Sequence, residues 1–200
     1  HQELHEAAGI AVDIGRRYKT PVVIMPGGTL CHSEGLIHLM PAQRRDPIEM
    51  PKDLRAFNVL PGMARKNYNV VMAERLPALI DLVEHSPLNH WDKGAGKIGV
   101  ITYGVCDMLV REVQAAKHLN LDILSLAFTN PLPMNLLRDF CASIDGPIYV
   151  FEDGYRSVQE ALQQIGVQAI GKEPFSSLTE WTPALIAEQL GSRKTKPVHD

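Results

Sequence analysis

Three almost unbroken apolar runs, each followed by a turn and an amphipathic helical pattern, dominate the second half of the chain. They span residues 97–104, 122–128 and 147–153. Continuous apolar runs of this length are typical of strands that are buried on both faces of a parallel sheet. The pattern therefore predicts an α/β domain with a mostly parallel sheet flanked by helices over residues 97–191.

Each predicted strand is followed by a helix whose apolar positions recur every three to four residues, as expected for a face that packs on the sheet. A fourth short strand is predicted at 167–170, and Thr182-Pro183 has the residue types that favour the start of a last helix. The apolar faces comprise Val105, Met108, Leu109, Val113 and Ala116; then Leu136, Leu137, Phe140 and Ile144; then Val158, Ala161, Leu162 and Ile165.

The first forty residues predict a helix over 2–17 and a short strand over 22–25. A helix and strand this small cannot bury a core by themselves, so residues 1–40 are interpreted as the end of a neighbouring domain. Because the chain opens on His1 inside a helical pattern, we expect it to be a fragment of a longer protein.

Residues 41–96 are predicted to be a linker with a bridging helix. Prolines punctuate 41–61 and favour an extended path. A helical pattern then runs over 63–84, and Pro77 inside it predicts a kink or break. The polar stretch 86–96 is predicted to be a loop, and 192–200 a tail.

Composition narrows the class of protein. An apolar content of 45%, a charged content of 22% and a net charge of −3 are ordinary for a globular chain and do not favour nucleic acid or an anionic membrane. The 3 cysteines have no C-x-x-C spacing, which disfavours a disulfide framework or a cysteine metal site. With no apolar segment near bilayer length and no signal peptide, the sequence predicts a cytoplasmic location.

The candidates for local chemistry are weak. The 8 histidines lack metal-ligand spacing. His32-Ser33, which follows the predicted strand, is the better functional candidate, although a capping or loop-bonding role is the more common one for such residues. Gly27-Gly28 and Gly94-x-Gly96 do not match phosphate-binding loops and are interpreted as turns. We therefore assign no catalytic, cofactor-binding or metal-binding residue to this chain.

The ends of the predicted strands form the candidate interface. In an open parallel sheet, the loops that follow the strands gather along one edge, where ligands or partners usually bind. The residues placed on this edge are Tyr103, Gly104, Asn130, Glu152 and Asp153. They are predicted to meet another domain or subunit rather than to perform catalysis.

The motifs 99–104, 129–133, 149–153 and 178–183, together with 20–25 and 31–35, resemble the thiamine-diphosphate-dependent 2-oxoacid:ferredoxin oxidoreductases. The similarity is greatest to the alpha subunit of the indolepyruvate ferredoxin oxidoreductases. It implies that residues 1–40 end a pyrimidine-binding domain and that 97–191 form a transketolase C-terminal-like domain. Tyr103 and the 151–153 motif depart from the residues usual in the family.

The resemblance also implies an activity and cofactors for the complete enzyme. That enzyme would decarboxylate an aryl 2-oxoacid such as indolepyruvate to an acyl-CoA and reduce ferredoxin. It would use thiamine diphosphate, magnesium and iron–sulfur clusters, a second, beta-type subunit, ferredoxin and coenzyme A. None of these cofactors is expected on this chain alone. Two alternatives are a non-catalytic α/β scaffold and a transketolase-like thiamine enzyme fragment that does not use ferredoxin.

Overall fold

A computed structural model describes residues 1–50, 52–57, 59–172 and 180–191. The chain divides into two compact units, His1–Leu82 and Val83–Asp200, called unit 1 and unit 2. The predicted tail at 192–200 and residues 178–179 of the 178–183 motif lie outside the described residues.

Unit 1 opens with helix α1, Gln2–Tyr18, as predicted. Its C-terminus carries basic residues in the last turn and Lys19 in the left-handed region at φ 50°, an arrangement that suits the negative end of the helix dipole. A short helical turn, α2, spans Gly28–Cys31. None of the residues of α1 is buried.

The strand predicted at 22–25 is wrong. This segment has no strand structure and its side chains are exposed, with Val23 at 77% and Met25 at 86%. A strand is stabilised by hydrogen bonds to a neighbouring strand. No strand occurs among the described residues of unit 1, so this apolar run has nothing to pair with there.

The chain around the start of the proline-rich segment packs along α1 through hydrogen bonds. Gln2 Oε1 accepts from the His38 amide at 2.7 Å, and His5 Nε2 accepts from the Met40 amide at 3.2 Å. Further along the helix, Arg45 donates to Asp13 Oδ1 at 2.7 Å and Oδ2 at 3.0 Å. The beginning of the predicted linker is therefore held on α1 by polar contacts.

The bridging helix is continuous but irregular. Helix α3, Pro61–Val70, runs into a π-helical turn over Val71–Arg75 and then into α4, Leu76–Glu84. Pro77 in α4 has no amide hydrogen to donate to the carbonyl four residues earlier. The wider π turn lies where that regular hydrogen bond would be lost. The break that Pro77 predicted does not occur, because the helical backbone continues from Pro61 to Glu84.

Among the described residues of unit 2, four strands form a sheet in the order β1-β3-β2-β4. They are β1, His90–Asp92; β2, Gly99–Tyr103; β3, Asp122–Leu126; and β4, Ile148–Phe151. Strand β2 is parallel to both β3 and β4. The predicted α/β fold with a mostly parallel sheet is confirmed.

The sheet differs from the prediction at its two ends. The stretch 86–96, expected to be a loop, contains β1, which pairs antiparallel with β3. The sheet therefore begins before the predicted domain start at 97. At the other end, the strand expected at 167–170 is a single bridge from Ile170 to Tyr149. Strand β1 was not predicted because its three residues are too few to show the period of a strand.

Helices cover both faces of the sheet. They are α5, Val105–Lys117; α6, Met134–Ala142; α7, Ser157–Gln164; and α8, Pro183–Gly191. Residues of α5 and α8 pack with one set of strand side chains, including Val100, Ile123 and Phe151. Residues of α6 and α7 pack with the other set, including Ile101 and Leu124. Alternate strand residues thus enter two different cores, which explains the unbroken apolar runs.

The face predicted for α5 is partly wrong. Met108 is 72% exposed, whereas Cys106, Val110 and Val113 are buried. The buried stripe is therefore rotated from the predicted one toward Cys106. Helix α6 follows its prediction more closely, since Leu137 and Phe140 are fully buried.

Replacing Phe140 with Ala is expected to lower the free energy of unfolding by about 3–5 kcal/mol. The ring is fully buried and packs edge-on against Trp91 with centroids 5.3 Å apart. Met108→Ala on α5 is the control and should change stability by less than about 0.5 kcal/mol because the side chain is exposed. Urea unfolding followed by circular dichroism measures both, and equal effects would contradict the assignment of these two faces.

Candidate functional site: the carboxyl edge of the sheet

The carboxyl ends of β2, β3 and β4 meet at one edge of the sheet because the three strands are parallel. Gly104 and Asp153 follow β2 and β4 and are exposed, and Asn130 in the loop after β3 is exposed as well. Tyr103 is half-buried, and its hydroxyl donates to the Asp153 carbonyl at 3.0 Å. The predicted edge residues are therefore brought to one side of the sheet.

At this edge the helices that follow two neighbouring strands, β2 and β4, leave toward opposite faces of the sheet. After β2 the chain crosses through α5 to β3, and after β4 it continues through α7, which packs on the opposite face. In open α/β sheets, the crevice beside such a reversal is the usual ligand position. The edge between Gly104 and Gly154 is accordingly the candidate site.

Glu152 has a different position from the exposed one expected of an interface acid. It is only 1% exposed. Its Oε2 accepts from the Val158 amide at 2.9 Å and from the Ser157 hydroxyl at 3.3 Å, and its Oε1 accepts from the Gln159 amide at 3.1 Å. Glu152, rather than Asp153, therefore bonds to the N-terminus of α7. Its carboxylate is not available to another domain or subunit.

Two further residues hold the segment around Glu152. The Trp181 indole donates to the Glu152 carbonyl at 3.2 Å, and its ring packs edge-on against Phe151. The Lys172 ammonium, also buried, donates to the Gly154 carbonyl at 3.0 Å. Burial raises the pKa of Glu152, and its hydrogen bonds to α7 and the Lys172 charge offset part of that rise.

The loop after β3 is held by side chains that precede the sheet. Glu84 accepts from the amides of Asn135 and Leu136 at 2.9 and 3.0 Å. Asn89 accepts from the amides of Ala127 and Phe128 at 2.9 and 3.4 Å. Neither residue was selected from the sequence, because the contacts join positions about forty to fifty residues apart.

These contacts limit what the edge can bind. The N-terminus of a helix attracts anions through its free amides and dipole. At α6 and α7, those amides already bond to Glu84 and Glu152. An incoming phosphate would have to displace a carboxylate of the chain and would be repelled by its charge. The arrangement at these two helices therefore does not fit a diphosphate site.

A second polar cluster joins α5 to the sheet. Arg111 donates to Asp107 Oδ2 at 2.8 Å, to Asp92 Oδ2 at 2.6 Å and to Ser125 Oγ at 3.1 Å, and Ser125 also donates to Asp107. His90 bonds to the same Asp92 at 2.7 Å. The mutual bonding of these groups secures β1, and the only local sequence signal for it is the i, i+4 spacing of Asp107 and Arg111.

Two of the three cysteines, Cys106 and Cys141, have the properties of core residues, and Cys31 is exposed. Burial, with the nearby Asp153 charge, raises the pKa of Cys106 to about 12, and burial raises the pKa of Cys141 to about 11. A thiol with so high a pKa is a poor nucleophile at neutral pH. Within the described part of the chain, no group of three or more His, Cys, Asp or Glu residues is arranged to hold a metal ion.

His32 and Ser33 lie in unit 1, at the end of the short turn α2. The His32 amide donates to the Gly28 carbonyl at 3.1 Å, and the Ser33 hydroxyl donates to the Leu30 carbonyl at 3.2 Å. Ser33 Oγ also bonds to His1 Nε2 at 3.1 Å. Both residues are exposed, and these contacts close the turn.

Comparison with known proteins identifies relatives of this chain. It is 27% identical to the indolepyruvate oxidoreductase subunit IorA of Archaeoglobus fulgidus over 197 residues, which are 97% of this chain and 30% of that protein. It is 24% identical to the subunit of the same name from Methanothermobacter marburgensis, over 76% of this chain and 25% of that protein. The chain is similar in sequence to IorA over almost its whole length. The resemblance inferred from its motifs is thereby confirmed.

The structural comparison agrees on the fold. A 2-oxoglutarate:ferredoxin oxidoreductase from Magnetococcus marinus matches 66% of this chain and 23% of its own with a TM-score of 0.50. At 17% sequence identity, this match shows a shared fold.

No protein-family model matches the chain. The chain thus spans less than a third of the length of the relatives that it matches. None of the described helices combines the length and apolar character that a membrane span requires.

The buried carboxyl of Glu152 is expected to make stability depend on pH. Because its pKa is raised in the folded state, its contribution is fully present below the unfolded value and is lost as pH rises through the folded value. Replacing Glu152 with Gln should remove this part of the pH dependence. Urea unfolding at several pH values between 4 and 8 measures the slope, with the exposed Glu112→Gln as the control.

The difference in pH dependence between the parent protein and the Glu152→Gln variant reports the contribution of Glu152 alone, without that of the other carboxyl groups. Arg111 and His90, for example, lower the pKa of Asp92 in spite of its partial burial, and this has the opposite effect on stability. Parallel plots of unfolding free energy against pH for the parent protein and Glu152→Gln would show that the Glu152 pKa is not raised.

Proposed function

We propose that this chain is the interdomain and docking part of a 2-oxoacid:ferredoxin oxidoreductase subunit whose substrate is indolepyruvate or another aryl 2-oxoacid. The complete cytoplasmic enzyme would convert the 2-oxoacid to an acyl-CoA and reduce ferredoxin. Residues 1–40 would end a pyrimidine-binding domain, 41–96 would bridge, and 97–191 would form the transketolase C-terminal-like domain. The observation that carries this proposal is the similarity to IorA over 97% of the chain.

The distribution of exposed apolar side chains supports a docking role. Nearly all the large exposed apolar residues lie in unit 1, including Leu36 at 102%, Leu39 at 81% and Val59 at 86%. Among the described residues of unit 2, only Leu88, Met108 and Tyr155 belong to this class. Exposed apolar surface on this scale is typical of an interaction surface. Its partner would be another domain of the same subunit or the beta-type subunit.

The cofactors of such an enzyme would be thiamine diphosphate, magnesium and iron–sulfur clusters. Two observations support placing them elsewhere: the described residues contain no metal-binding cluster, and the amides at the starts of α6 and α7 bond to carboxylates of the chain. We therefore place the cofactors, coenzyme A and ferredoxin on other parts of the assembly. This chain would support their positions through its folded sheet.

The gene product that contains this chain, purified without oxygen together with its partner subunit, should reduce a viologen dye when given indolepyruvate and coenzyme A. Phenylpyruvate and 2-oxoglutarate serve as comparison substrates, and electron paramagnetic resonance reports the iron–sulfur clusters. Preference for 2-oxoglutarate would contradict the aryl substrate. Thiamine-dependent turnover without iron–sulfur signals would favour a transketolase-like enzyme, and no turnover would favour a scaffold.

The edge of the sheet gives a test of docking that leaves the core intact. Asp153 is exposed at this edge, so Asp153→Lys should weaken assembly with the remaining domains or subunit if the edge is an interface. Asp145→Lys, another exposed carboxylate in a loop, is the matched control. Glu152 is unsuitable for this test because a buried Lys there could not accept the hydrogen bonds of the Val158 and Gln159 amides and would disrupt the start of α7.

Gel filtration and co-purification of the tagged complex measure assembly, and circular dichroism verifies that both variants are folded. We expect a loss of about tenfold or more in association for Asp153→Lys, which corresponds to about 1.4 kcal/mol. Equal association of the two variants would mean that Asp153 faces water in the complete enzyme.

A further inference from the structure

Two side chains of the segment that leads into the sheet make contacts with one distant loop. Glu84 is the last residue of α4, and Asn89 immediately precedes β1. Both reach the loop and first helical turn between β3 and α6, residues 127–136. That loop includes Asn130, one of the exposed residues of the carboxyl edge.

The Glu84 contact is specific in geometry. Its two carboxylate oxygens accept from two successive amides, Asn135 at 2.9 Å and Leu136 at 3.0 Å, at the N-terminus of α6. A carboxylate at this position is stabilised by the hydrogen bonds and by the helix dipole. The side chain is half-buried, and the residue before it, Val83, is 1% exposed, which holds this end of α4 in unit 2.

The Asn89 contact joins the same two segments from the other side. Its Oδ1 accepts from the Ala127 amide at 2.9 Å and the Phe128 amide at 3.4 Å, while its Nδ2 donates to the Val83 carbonyl at 2.7 Å. The amide side chain therefore ties the end of α4 directly to the start of the loop. Glu84 ties the same end of α4 to the end of the loop.

We propose that Glu84 and Asn89 act together as positioning residues that couple the end of the bridging helix to the edge loop 127–136. When the end of α4 shifts, both ends of the loop shift with it, and so does the exposed Asn130. This inference rests on the proposed docking role for its function, since it makes the shape of the edge depend on the helix that enters the domain. The coupling itself is a property of unit 2 alone.

Hydrogen exchange of individual amides, followed by NMR in the whole chain, tests the coupling. Glu84→Gln keeps the size of the side chain but leaves one oxygen acceptor for two amides. It should accelerate exchange at Asn135 and Leu136 by about fivefold, the effect of losing a helix-capping contact. If the two residues act together, exchange at Ala127 and Phe128, which Glu84 does not contact, should also accelerate.

The reverse experiment uses Asn89→Ala, which should accelerate exchange at Asn135 and Leu136 as well as at its own partners. Asp139→Asn, an exposed carboxylate on the same helix α6, is the control and should change none of these amides. Circular dichroism verifies that each variant is folded. Acceleration confined in both variants to the directly bonded amides, or no acceleration at all, would overturn the coupling.

The result is independent of the proposed enzyme activity. Loss of coupling with normal assembly would remove only the positioning role. Intact coupling in a protein that does not assemble through Asp153 would leave the positioning role of Glu84 and Asn89 in place and contradict its use in docking.

Discussion

The carboxylate of Glu152 lies where β4 ends and α7 begins, and the arrangement of the carboxyl edge depends on it. Three hydrogen-bond donors from residues 157–159 converge on the buried carboxylate. Hydrogen bonds to a charged group contribute roughly 1.5–3 kcal/mol each, which offsets part of the cost of removing the charge from water. With α7 fixed in this way, the neighbouring Asp153 is left exposed at the surface.

The same solution recurs at α6, where Glu84 supplies the carboxylate from a distant part of the chain. Both helices therefore have their anion-attracting ends occupied internally. This distinguishes the edge from the phosphate-binding edges of nucleotide-binding α/β proteins, in which the helix amides face the ligand. A domain of this kind retains the architecture of a binding fold, and its occupied helix ends are compatible with the proposed contact of this edge with protein.

The two units differ in how completely they satisfy their own apolar surface. In unit 2, the sheet separates two cores, and side chains such as Ile101, Phe151 and Ile186 are fully buried. In unit 1, α1 buries none of its residues, and many large apolar side chains are exposed. This contrast connects the fold to the proposed role, because unit 2 has the features of a packed scaffold and unit 1 those of a docking segment.

The sequence by itself determined the three parallel strands, the helices that follow them, and the side of the sheet on which Tyr103, Gly104, Asn130 and Asp153 lie. It did so because hydrophobic periodicity is local, and because a strand that is connected to the next by a helix usually returns parallel to it. Its motifs also carried the family resemblance that the similarity to IorA confirms.

Only the tertiary structure decided which carboxylates are free and which are bonded. Nothing local distinguishes Glu152, buried against α7, from the exposed Asp153 next to it. Strand β1 was missed for the same kind of reason: its three residues pair with β3 and are held by Arg111, contacts that lie far away in sequence. The apolar run 22–25 is the reverse case, in which a strand was predicted and none is present. A local strand pattern forms a strand only where a pairing partner is present.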